Sequence, residues 1–275
     1  MRRIPWFLPW SLLCLGCAPT QRQTPDAGVT DSTPRKLVAR IVHTYPHDPT
    51  AFTQGLQFHQ GQLYESTGED GDLRRISLEQ ASPLWTQDLP DVFPEGLASD
   101  GERLYQLTWK DETLYVWNGQ SGHPPAQEKQ VAYTGEGWGL CYWRGQLVRS
   151  DGTSTLRFHD PKDFHVKSQV QVTSQGVPQD MLNELECAED GVYANVWHTD
   201  HVLKIDYATG RVLAIIDASA LVRAVRGRVH SYEAVLNGIA LEPGTGRLFF
   251  TGKLWPDLFE VALEPATSQE SRQRE

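Results

Sequence analysis

Residues 52–68, FTQGLQFHQGQLYESTG, contain the pattern that decides the fold: an aromatic or polar residue, a glycine, an aliphatic residue, a turn and a second apolar strand. Altered copies follow at FPEGLASDGERLYQLTW (93–109), GWGLCYWRGQLVRSDG (137–152), LNELECAEDGVYANVW (182–197) and LNGIALEPGTGRLFFTGK (236–253). The aliphatic anchors of the five copies are 41, 43, 45 and 54 residues apart: Leu56, Leu97, Leu140, Leu185 and Ile239. This period, with several short strands in each copy, predicts an all-β fold, a five-bladed β-propeller.

The outer strands of the repeat indicate how the ring closes. Each copy continues with an alternating third strand, and the first four continue with a fourth, such as PLWTQDL at 83–89. The fifth copy ends after DLFEVALE, residues 257–264, without a fourth strand. Residues 36–45, KLVARIVHTY, precede the first copy. We expect this N-terminal strand to complete the last blade, which leaves no exposed sheet edge.

The last interval is long because it contains an insertion, DASALVRAVRGRVHSYEA, at residues 217–234. Leu221, Val222 and Val225 have helical spacing within it. The insertion is therefore predicted to be a short helix or a flap over one face of the ring. A surface insertion without a role is the alternative.

The N-terminal segment has the pattern of a signal peptide. Two arginines precede the apolar run at residues 4–15, which is too short to span a bilayer. The run leads into LLCLGC, which resembles the lipobox of bacterial lipoproteins, where the cysteine at the cleavage site, here Cys17, is acylated. An ordinary secretory signal cleaved shortly after this residue is the alternative.

These signals divide the chain into a signal peptide at 1–17, a polar, proline-rich tether at 18–35, the propeller at 36–264 and a polar tail at 265–275. We expect an exported protein of the cell envelope, held by a lipid anchor at the outer membrane or in the periplasm, or otherwise secreted or periplasmic. The 35 acidic and 25 basic residues give a formal net charge of −10, which disfavours a nucleic-acid partner.

Two cysteines remain in the propeller, Cys141 and Cys187, one and two residues after their anchors. Side chains at these offsets point to opposite faces of their strands. The sequence therefore predicts two buried free thiols and no disulfide. The cysteines also lack a spacing that would suit zinc.

Candidate functional residues follow from the repeat, because the start of each first strand and the end of each second strand meet at one mouth of the ring. The first level holds Gln54, Glu95, Trp138, Asn183 with Glu184, and Asn237. The second holds Gly68 with Glu69, Trp109, Gly152 after Asp151, Trp197 and Lys253. Charges facing a channel among indoles are costly unless they are paired or used, so Glu95 and Lys253 are the strongest candidates. Blade packing remains the alternative for the tryptophans, and strand capping for Gln54 and Asn237.

At these residues the chain resembles the glutamine cyclotransferases of the plant and bacterial type, from about Leu37 to Leu263. FTQG, LNELE and TGKLWP are its most specific shared motifs. The resemblance implies a five-bladed propeller and an enzyme, without a cofactor, that converts N-terminal glutaminyl residues of peptides or proteins to pyroglutamyl with loss of ammonia. The site residues that it implies are Phe52, Gln54, Glu95, Trp109, Trp138, Asn183, Trp197 and Lys253. We expect the enzyme to act as a monomer.

This reaction suggests a role for each group. Glu95 would take a proton from the α-amine and return it to the leaving nitrogen, with its pKa raised by the indoles. Lys253 would stabilise the developing oxyanion or tune Glu95. The three tryptophans would surround the substrate, and the carboxamides of Gln54, Asn183 and Asn237 would hold its polar groups.

Two other functions fit parts of the pattern. Some propellers hold a central Ca²⁺ for lactonase or esterase chemistry, and the oxygen ligands could here come from Glu95, Asn183, Asn237 and Asp151. A non-catalytic propeller that binds peptides or glycans at the envelope is the second alternative.

Overall fold

The computed structural model describes residues 33–69, 71–119 and 124–267. The predicted signal peptide with Cys17, the tether as far as residue 32 and the tail beyond residue 267 lie outside the described residues. Within the described ranges, no helix has the length and apolar character needed to cross a bilayer.

The fold begins with a long strand, β1 (Arg35–Pro46), followed by three four-stranded antiparallel sheets in chain order. The first sheet is β2 (Thr53–His59), β3 (Gln62–Thr67), β4 (Asp72–Ile76) and β5 (Trp85–Asp88). The second is β6 (Pro94–Ser99), β7 (Arg103–Thr108), β8 (Thr113–Asn118) and β9 (Ala126–Ala132). The third is β10 (Leu140–Trp143), β11 (Gln146–Arg149), β12 (Thr155–His159) and β13 (Val166–Gln171).

A small hairpin, β14 (Thr173–Ser174) and β15 (Val177–Pro178), leads to the last two blades. The fourth blade is β16 (Leu182–Ala188), β17 (Gly191–Val196), β18 (His201–Ile205) and β19 (Val212–Asp217). The helix α1 (Ser219–Val225) follows, so the predicted short helix is confirmed. The fifth blade contains β20 (Leu236–Leu241), β21 (Leu248–Gly252) and β22 (Asp257–Pro265).

The N-terminal strand closes the ring as predicted. β1 pairs antiparallel with β22, from Leu37 opposite Pro265 to Pro46 opposite Asp257, and so becomes the outer strand of the fifth blade. Its first residues also pair in parallel with β19 of the fourth blade. The innermost strands contact one another in the order β2, β6, β10, β16, β20 and back to β2. The five-bladed ring is therefore complete.

The core is divided among the spaces between neighbouring blades. Leu97 and Leu104 of the second blade, for example, pack with Tyr64 and Leu73 of the first. Four further clusters fill the remaining interfaces, and α1 packs its Leu221 into the one between the fourth and fifth blades. Each sheet is thus apolar on both faces, which explains why its inner strands are buried almost throughout.

The glycine before four of the five anchors allows neighbouring innermost strands to approach. A Cβ on Gly139 would lie 2.0 Å from the carbonyl oxygen of Asn183, and one on Gly96 would lie 2.4 Å from the backbone nitrogen of Leu140. No side chain fits at such distances. The repeat therefore keeps glycine here to let the blades meet closely around the channel.

The fourth blade carries Glu184 in place of that glycine. Its two carboxyl oxygens accept hydrogen bonds from the backbone N–H groups of Leu56, over 3.3 Å, and Ile239, over 2.9 Å. These donors belong to the first and fifth blades. Glu184 consequently links three innermost strands, a structural role at a position that the sequence pattern placed near the mouth.

The prediction of free thiols is wrong, because Cys141 and Cys187 form a disulfide across a Cα–Cα distance of 5.4 Å. The two side chains do point to opposite faces in the frame of a single blade. Neighbouring blades pack with opposite faces toward each other, so Cys141 of the third blade and Cys187 of the fourth enter the same interface. Opposite strand faces keep two side chains apart within one sheet, but not when the side chains belong to the sheets of two neighbouring blades.

Candidate active site

One cavity of about 320 Å³ opens at the mouth of the ring and collects most of the predicted site residues. Its lining consists of Phe52, Gln54, Glu69, Phe93, Glu95, Trp109, Trp138, Asn183, Trp197, Glu233 and Lys253. The structure thus brings together all the predicted site residues of the propeller except Asn237. Aromatic rings and four charged groups share this small volume.

Irregularities in the innermost strands turn the site residues into the channel. The pairing register shifts between Thr53 and Gly55, and Gln54 sits at that shift. The other shifts are at the equivalent place in β6 (at Glu95), β16 (at Asn183) and β20 (at Asn237). A residue released from the ladder by a bulge can aim its side chain away from the neighbouring sheet. The same backbone feature, repeated around the ring, therefore positions most of the mouth.

Glu95 is the carboxyl group at the floor of the cavity, only 4% exposed. Its Oε1 accepts a hydrogen bond from Nε2 of Gln54 over 3.0 Å. Burial raises the pKa of Glu95 well above the usual value, the ammonium of Lys253 opposes the shift, and the Glu136 carboxylate adds to it. Glu95 therefore keeps its proton to a higher pH than an exposed carboxyl group does, and it is positioned to exchange that proton during a reaction.

Lys253 follows β21 and is also 4% exposed. Its Nζ lies 4.7 Å from the centroid of the Phe52 ring, within reach of a cation–π interaction. Burial lowers the pKa of Lys253, while Glu95, Glu233 and Glu69 act in the opposite direction. This lysine is the positive charge of the cavity lining.

The side chain of Asn237 helps to hold Gln54 in place. The Asn237 Nδ2 group donates to the backbone carbonyl of Thr53 over 2.9 Å and to Oε1 of Gln54 over 3.3 Å. Asn237 is fully buried and lies beneath the cavity instead of lining it. A chain of contacts from Asn237 through Gln54 to Glu95 thus fixes the carboxyl group.

Glu136 orients two of the indoles. Its Oε2 accepts hydrogen bonds from Nε1 of Trp109 over 2.8 Å and from Nε1 of Trp138 over 3.0 Å. Lys110 lies 3.7 Å from Oε1 of the same carboxylate and 3.8 Å from the Trp109 ring centroid. Burial alone would raise the pKa of Glu136, but the indole hydrogen bonds and Lys110 lower it overall. An ionised Glu136 therefore fixes one wall of the cavity.

Two fully buried side-chain atoms of the lining have no hydrogen-bond partner in the described part of the chain. They are Oδ1 of Asn183, an acceptor, and Nε1 of Trp197, a donor. Trp197 packs edge-on against Trp138, with 5.5 Å between ring centroids. Buried polar groups normally have partners, so an acceptor and a donor left open in one cavity indicate a ligand that supplies both.

The sequence of the chain identifies the family to which this geometry belongs. A family model described as "Glutamine cyclotransferase" matches residues 10–263. The chain belongs to the glutamine cyclotransferase family. The match extends over the whole ring, including all the residues around the cavity.

Relatives of this glutamine cyclotransferase support the assignment. A curated protein from Arabidopsis thaliana named "Glutaminyl-peptide cyclotransferase" is 36% identical over 233 residues, which cover 83% of this chain and 72% of the relative. The crystal structure of Myxococcus xanthus glutaminyl cyclase is 58% identical with a TM-score of 0.83, over 85% of this chain and all of the other. A PQQ-bound aldose sugar dehydrogenase from Streptomyces coelicolor, 11% identical with a TM-score of 0.57, shares the fold alone.

Three residues of the glutamine cyclotransferase site were missed by the sequence analysis, and two of them had a usable signal. Phe93 opens the second repeat copy as Phe52 opens the first, and their rings lie 6.0 Å apart at the cavity. Glu136 stands two residues before Trp138, close enough to suggest contact. Glu233 belongs to the insertion, so no repeat position could identify it.

The calcium-site alternative lacks its ligand arrangement. Asp151 forms an ion pair with Arg157 and accepts a hydrogen bond from Thr153 instead of lining the cavity. Across the described ranges, no group of three or more His, Cys, Asp or Glu side chains is arranged to hold a metal ion. The oxygen donors proposed for calcium are therefore not assembled as a set around one point.

Proposed function

We propose that the chain cyclises N-terminal glutaminyl residues of peptides or proteins to pyroglutamyl residues and releases ammonia. Membership of the glutamine cyclotransferase family and the names of the Arabidopsis and Myxococcus relatives support this function. The observation that carries it is Glu95, a buried carboxyl with a raised pKa, held by Gln54 in a cavity walled by indoles. Such a group suits proton transfer near neutral pH.

The chemistry needs one proton to move between two nitrogens. The α-amine attacks the carbonyl carbon of its own side-chain carboxamide, a carbon–nitrogen bond forms, and the oxygen becomes negative. The attacking nitrogen loses one proton to Glu95 and the leaving nitrogen gains one from it, so Glu95 ends in its starting state. The carbonyl re-forms as the bond to the leaving nitrogen breaks and ammonia departs. Because nucleophile and electrophile belong to one residue, the cavity mainly has to hold the reactive conformation.

Lys253 supplies a positive charge opposite the negative charge that develops on the carboxamide oxygen. An ammonium beside the carboxamide oxygen stabilises the oxyanion. Because Lys253 is already buried, little water has to rearrange around it when the negative charge forms.

The α-amine of a free N-terminus has a pKa of about 7.7 to 8.0, so part of it is neutral at pH 7. The site therefore does not require a strong base.

The two open polar atoms fit the groups of the substrate. Oδ1 of Asn183 can accept an N–H from the amine or the carboxamide, and Nε1 of Trp197 can donate to a carbonyl oxygen. The indoles then surround the two methylene groups of the glutamine side chain and exclude water. Gln54, whose carboxamide is engaged by Glu95 and Asn237, acts in this proposal as a positioning residue.

Ammonia release from a Gln-Ala peptide tests the function. The enzyme should release ammonia with and without EDTA, and Glu95→Gln should not. The exposed carboxylate Glu102 provides a control, because Glu102→Gln removes a charge far from the cavity. A product that is lighter than the peptide by the mass of one ammonia, and whose N-terminus is blocked, is the pyroglutamyl peptide. No release by the wild-type enzyme would reject the proposed function.

We also propose that the protein is exported, with Cys17 acylated, and acts as a monomer at the cell envelope. The arginines and apolar run before Cys17 support export, and so does the Cys141–Cys187 disulfide, because disulfides persist in oxidising compartments. Incorporation of labelled palmitate that disappears in Cys17→Ser would support acylation. Secretion of the wild-type protein without label would reject acylation of Cys17. Light scattering measures the oligomeric state and tests the monomer separately.

A further inference from the structure

Three aromatic rings in contact, one tilted pair and one stacked pair, lead from the cavity to the protein surface. Trp197 lines the cavity, and its ring centroid is 4.2 Å from that of His198. His198 in turn stacks on Tyr232, with 4.6 Å between centroids and 29° between planes. Tyr232 is 80% exposed, so the face turned away from His198 is open. We call Trp197, His198 and Tyr232 the aromatic shelf.

Backbone contacts hold both chain segments that contribute rings to the aromatic shelf. His198 has a φ of 58°, a left-handed conformation that is uncommon outside glycine, in a turn closed by the Thr199 N–H and the Val196 carbonyl. On the other side, Oγ of Ser231 accepts the N–H of Glu233 over 3.1 Å. These contacts restrict the backbone on both sides of the aromatic shelf, which reduces the ordering cost of binding.

The mouth beside the shelf is acidic. Glu233 directly follows Tyr232 and lines the cavity, as does Glu69, which is exposed. Both are close enough to influence the pKa of Lys253. With Glu95 buried below them, these two carboxylates are the negative groups of the lining that face the open side. Glu233 and Tyr232 are adjacent in the chain, so a positively charged side chain that leaves the cavity past Glu233 comes within one residue of Tyr232.

The polar groups inside the cavity determine what reaches the shelf. Oδ1 of Asn183 and Nε1 of Trp197 have no hydrogen-bond partner within the described residues, and in the proposed function they hold the N-terminal glutamine beside Trp197. The peptide chain must then leave through the mouth. The first side chain that can lie on the aromatic shelf belongs to the residue after the glutamine.

We propose that the aromatic shelf and Glu233 form a subsite that selects peptides with arginine or lysine directly after the N-terminal glutamine. This inference rests on the proposed function and names its substrate class. An arginine side chain can stack on Tyr232 and place its guanidinium against Glu233, which satisfies both features of the subsite. An apolar side chain uses only the ring, and an acidic one is repelled by Glu233.

The test compares Gln-Arg, Gln-citrulline, Gln-Ala and Gln-Glu peptides of otherwise identical sequence by their kcat/KM for ammonia release. Citrulline has nearly the shape of arginine and no charge, so the ratio of the first two isolates the electrostatic part. We expect arginine to be preferred over citrulline about fivefold, as for a partly exposed ion pair with Glu233, because both side chains can stack on Tyr232. Glu233→Gln should bring this ratio close to one.

Matched variants separate the ring from the charge. Tyr232→Ala should lower kcat/KM for both the arginine and the citrulline peptide, whereas Tyr232→Phe should retain the wild-type values. Glu189→Gln, which removes an exposed carboxylate that lines another cavity, should leave the ratio unchanged. Because the readout is a ratio, a general loss of turnover in Glu233→Gln does not obscure it.

The outcomes distinguish this inference from the proposed function. Turnover of Gln-Ala with equal rates for arginine and citrulline would overturn the subsite and leave the function in place. An arginine preference that survives Glu233→Gln would also overturn it. No turnover of any peptide would reject both. A preference that is abolished by Glu233→Gln, together with a lower kcat/KM for both peptides in Tyr232→Ala, supports the subsite.

Discussion

Nε2 of Gln54 donates a hydrogen bond to Oε1 of Glu95 over 3.0 Å, and this contact joins the innermost strands of the first two blades at the mouth. Both residues stand where the register of their strands is irregular. A single bond therefore connects the repeat geometry of the ring to the acid–base chemistry of its cavity.

Replacing Glu95 should stop the reaction and leave the fold intact. Glu95→Gln keeps the shape and the burial of the side chain, but it cannot exchange protons. We expect kcat to fall about a thousandfold, within the usual range for a general acid–base group, with an unchanged circular dichroism spectrum. A variant that retains more than a tenth of the wild-type kcat would assign proton transfer elsewhere.

Gln54 and the indoles should affect different kinetic constants. Gln54→Ala removes the bond that positions Glu95, so kcat should fall about tenfold or more while KM changes less. Trp109→Ala and Trp138→Ala remove the walls around the substrate and should raise KM more than Gln54→Ala does. The same change in KM for all three variants would contradict this division of roles.

Glu136 should act through the indoles that it orients. Glu136→Ala leaves Nε1 of Trp109 and Nε1 of Trp138 without their acceptor, and we expect KM to rise about fivefold, as for the loss of one net hydrogen-bond contribution. Glu136→Gln retains an acceptor oxygen and should restore most of the affinity. If both variants raise KM equally, the charge of Glu136 matters more than its geometry.

The disulfide should stabilise the ring without affecting the chemistry. Cys141 and Cys187 are 46 residues apart, and closing a loop of this length in the unfolded chain corresponds to about 4 kcal/mol. The double variant Cys141→Ala/Cys187→Ala should therefore lose a large part of its free energy of unfolding in guanidinium while its KM stays unchanged. Equal midpoints for wild type and variant would show that the bridge adds no stability.

Stability should fall as the pH rises, and Glu186 should account for part of the slope. Burial raises the pKa of Glu186 well above 4.5, its value in an unfolded chain. The folded state thus keeps a proton that the unfolded state releases above pH 4.5, so stability is lost from there up through the folded pKa. Glu186→Gln cannot titrate and should gain stability relative to wild type as the pH rises above 4.5.

Exposed Glu189 supplies the control for this pH dependence. Its side chain is 84% exposed, and Glu189→Gln should follow the wild-type curve of unfolding free energy against pH. A Glu186→Gln curve parallel to that of the wild type would mean that Glu186 titrates normally in the folded protein.

The repeat made most of the fold predictable, because one anchor per blade marks each innermost strand. It also predicted the mouth, since equivalent positions of a ring must meet. It did not reveal that Asn237 lies below the cavity, because the depth of a side chain depends on the local bulge. Glu233 was beyond its reach, as the insertion has no counterpart in the other blades. The cysteines were misjudged because faces of different blades were compared as if they belonged to one sheet.

The pairing of β1 with β22 also determines where both chain ends leave the ring. β22 starts next to the mouth, near Lys253, and runs away from it to Pro265, which lies opposite Leu37 of β1. Leu37 and Pro265 are therefore neighbours in space although they are 228 residues apart in the sequence. A short linker would suffice to join these two positions in a circularly permuted chain that keeps every strand of the ring.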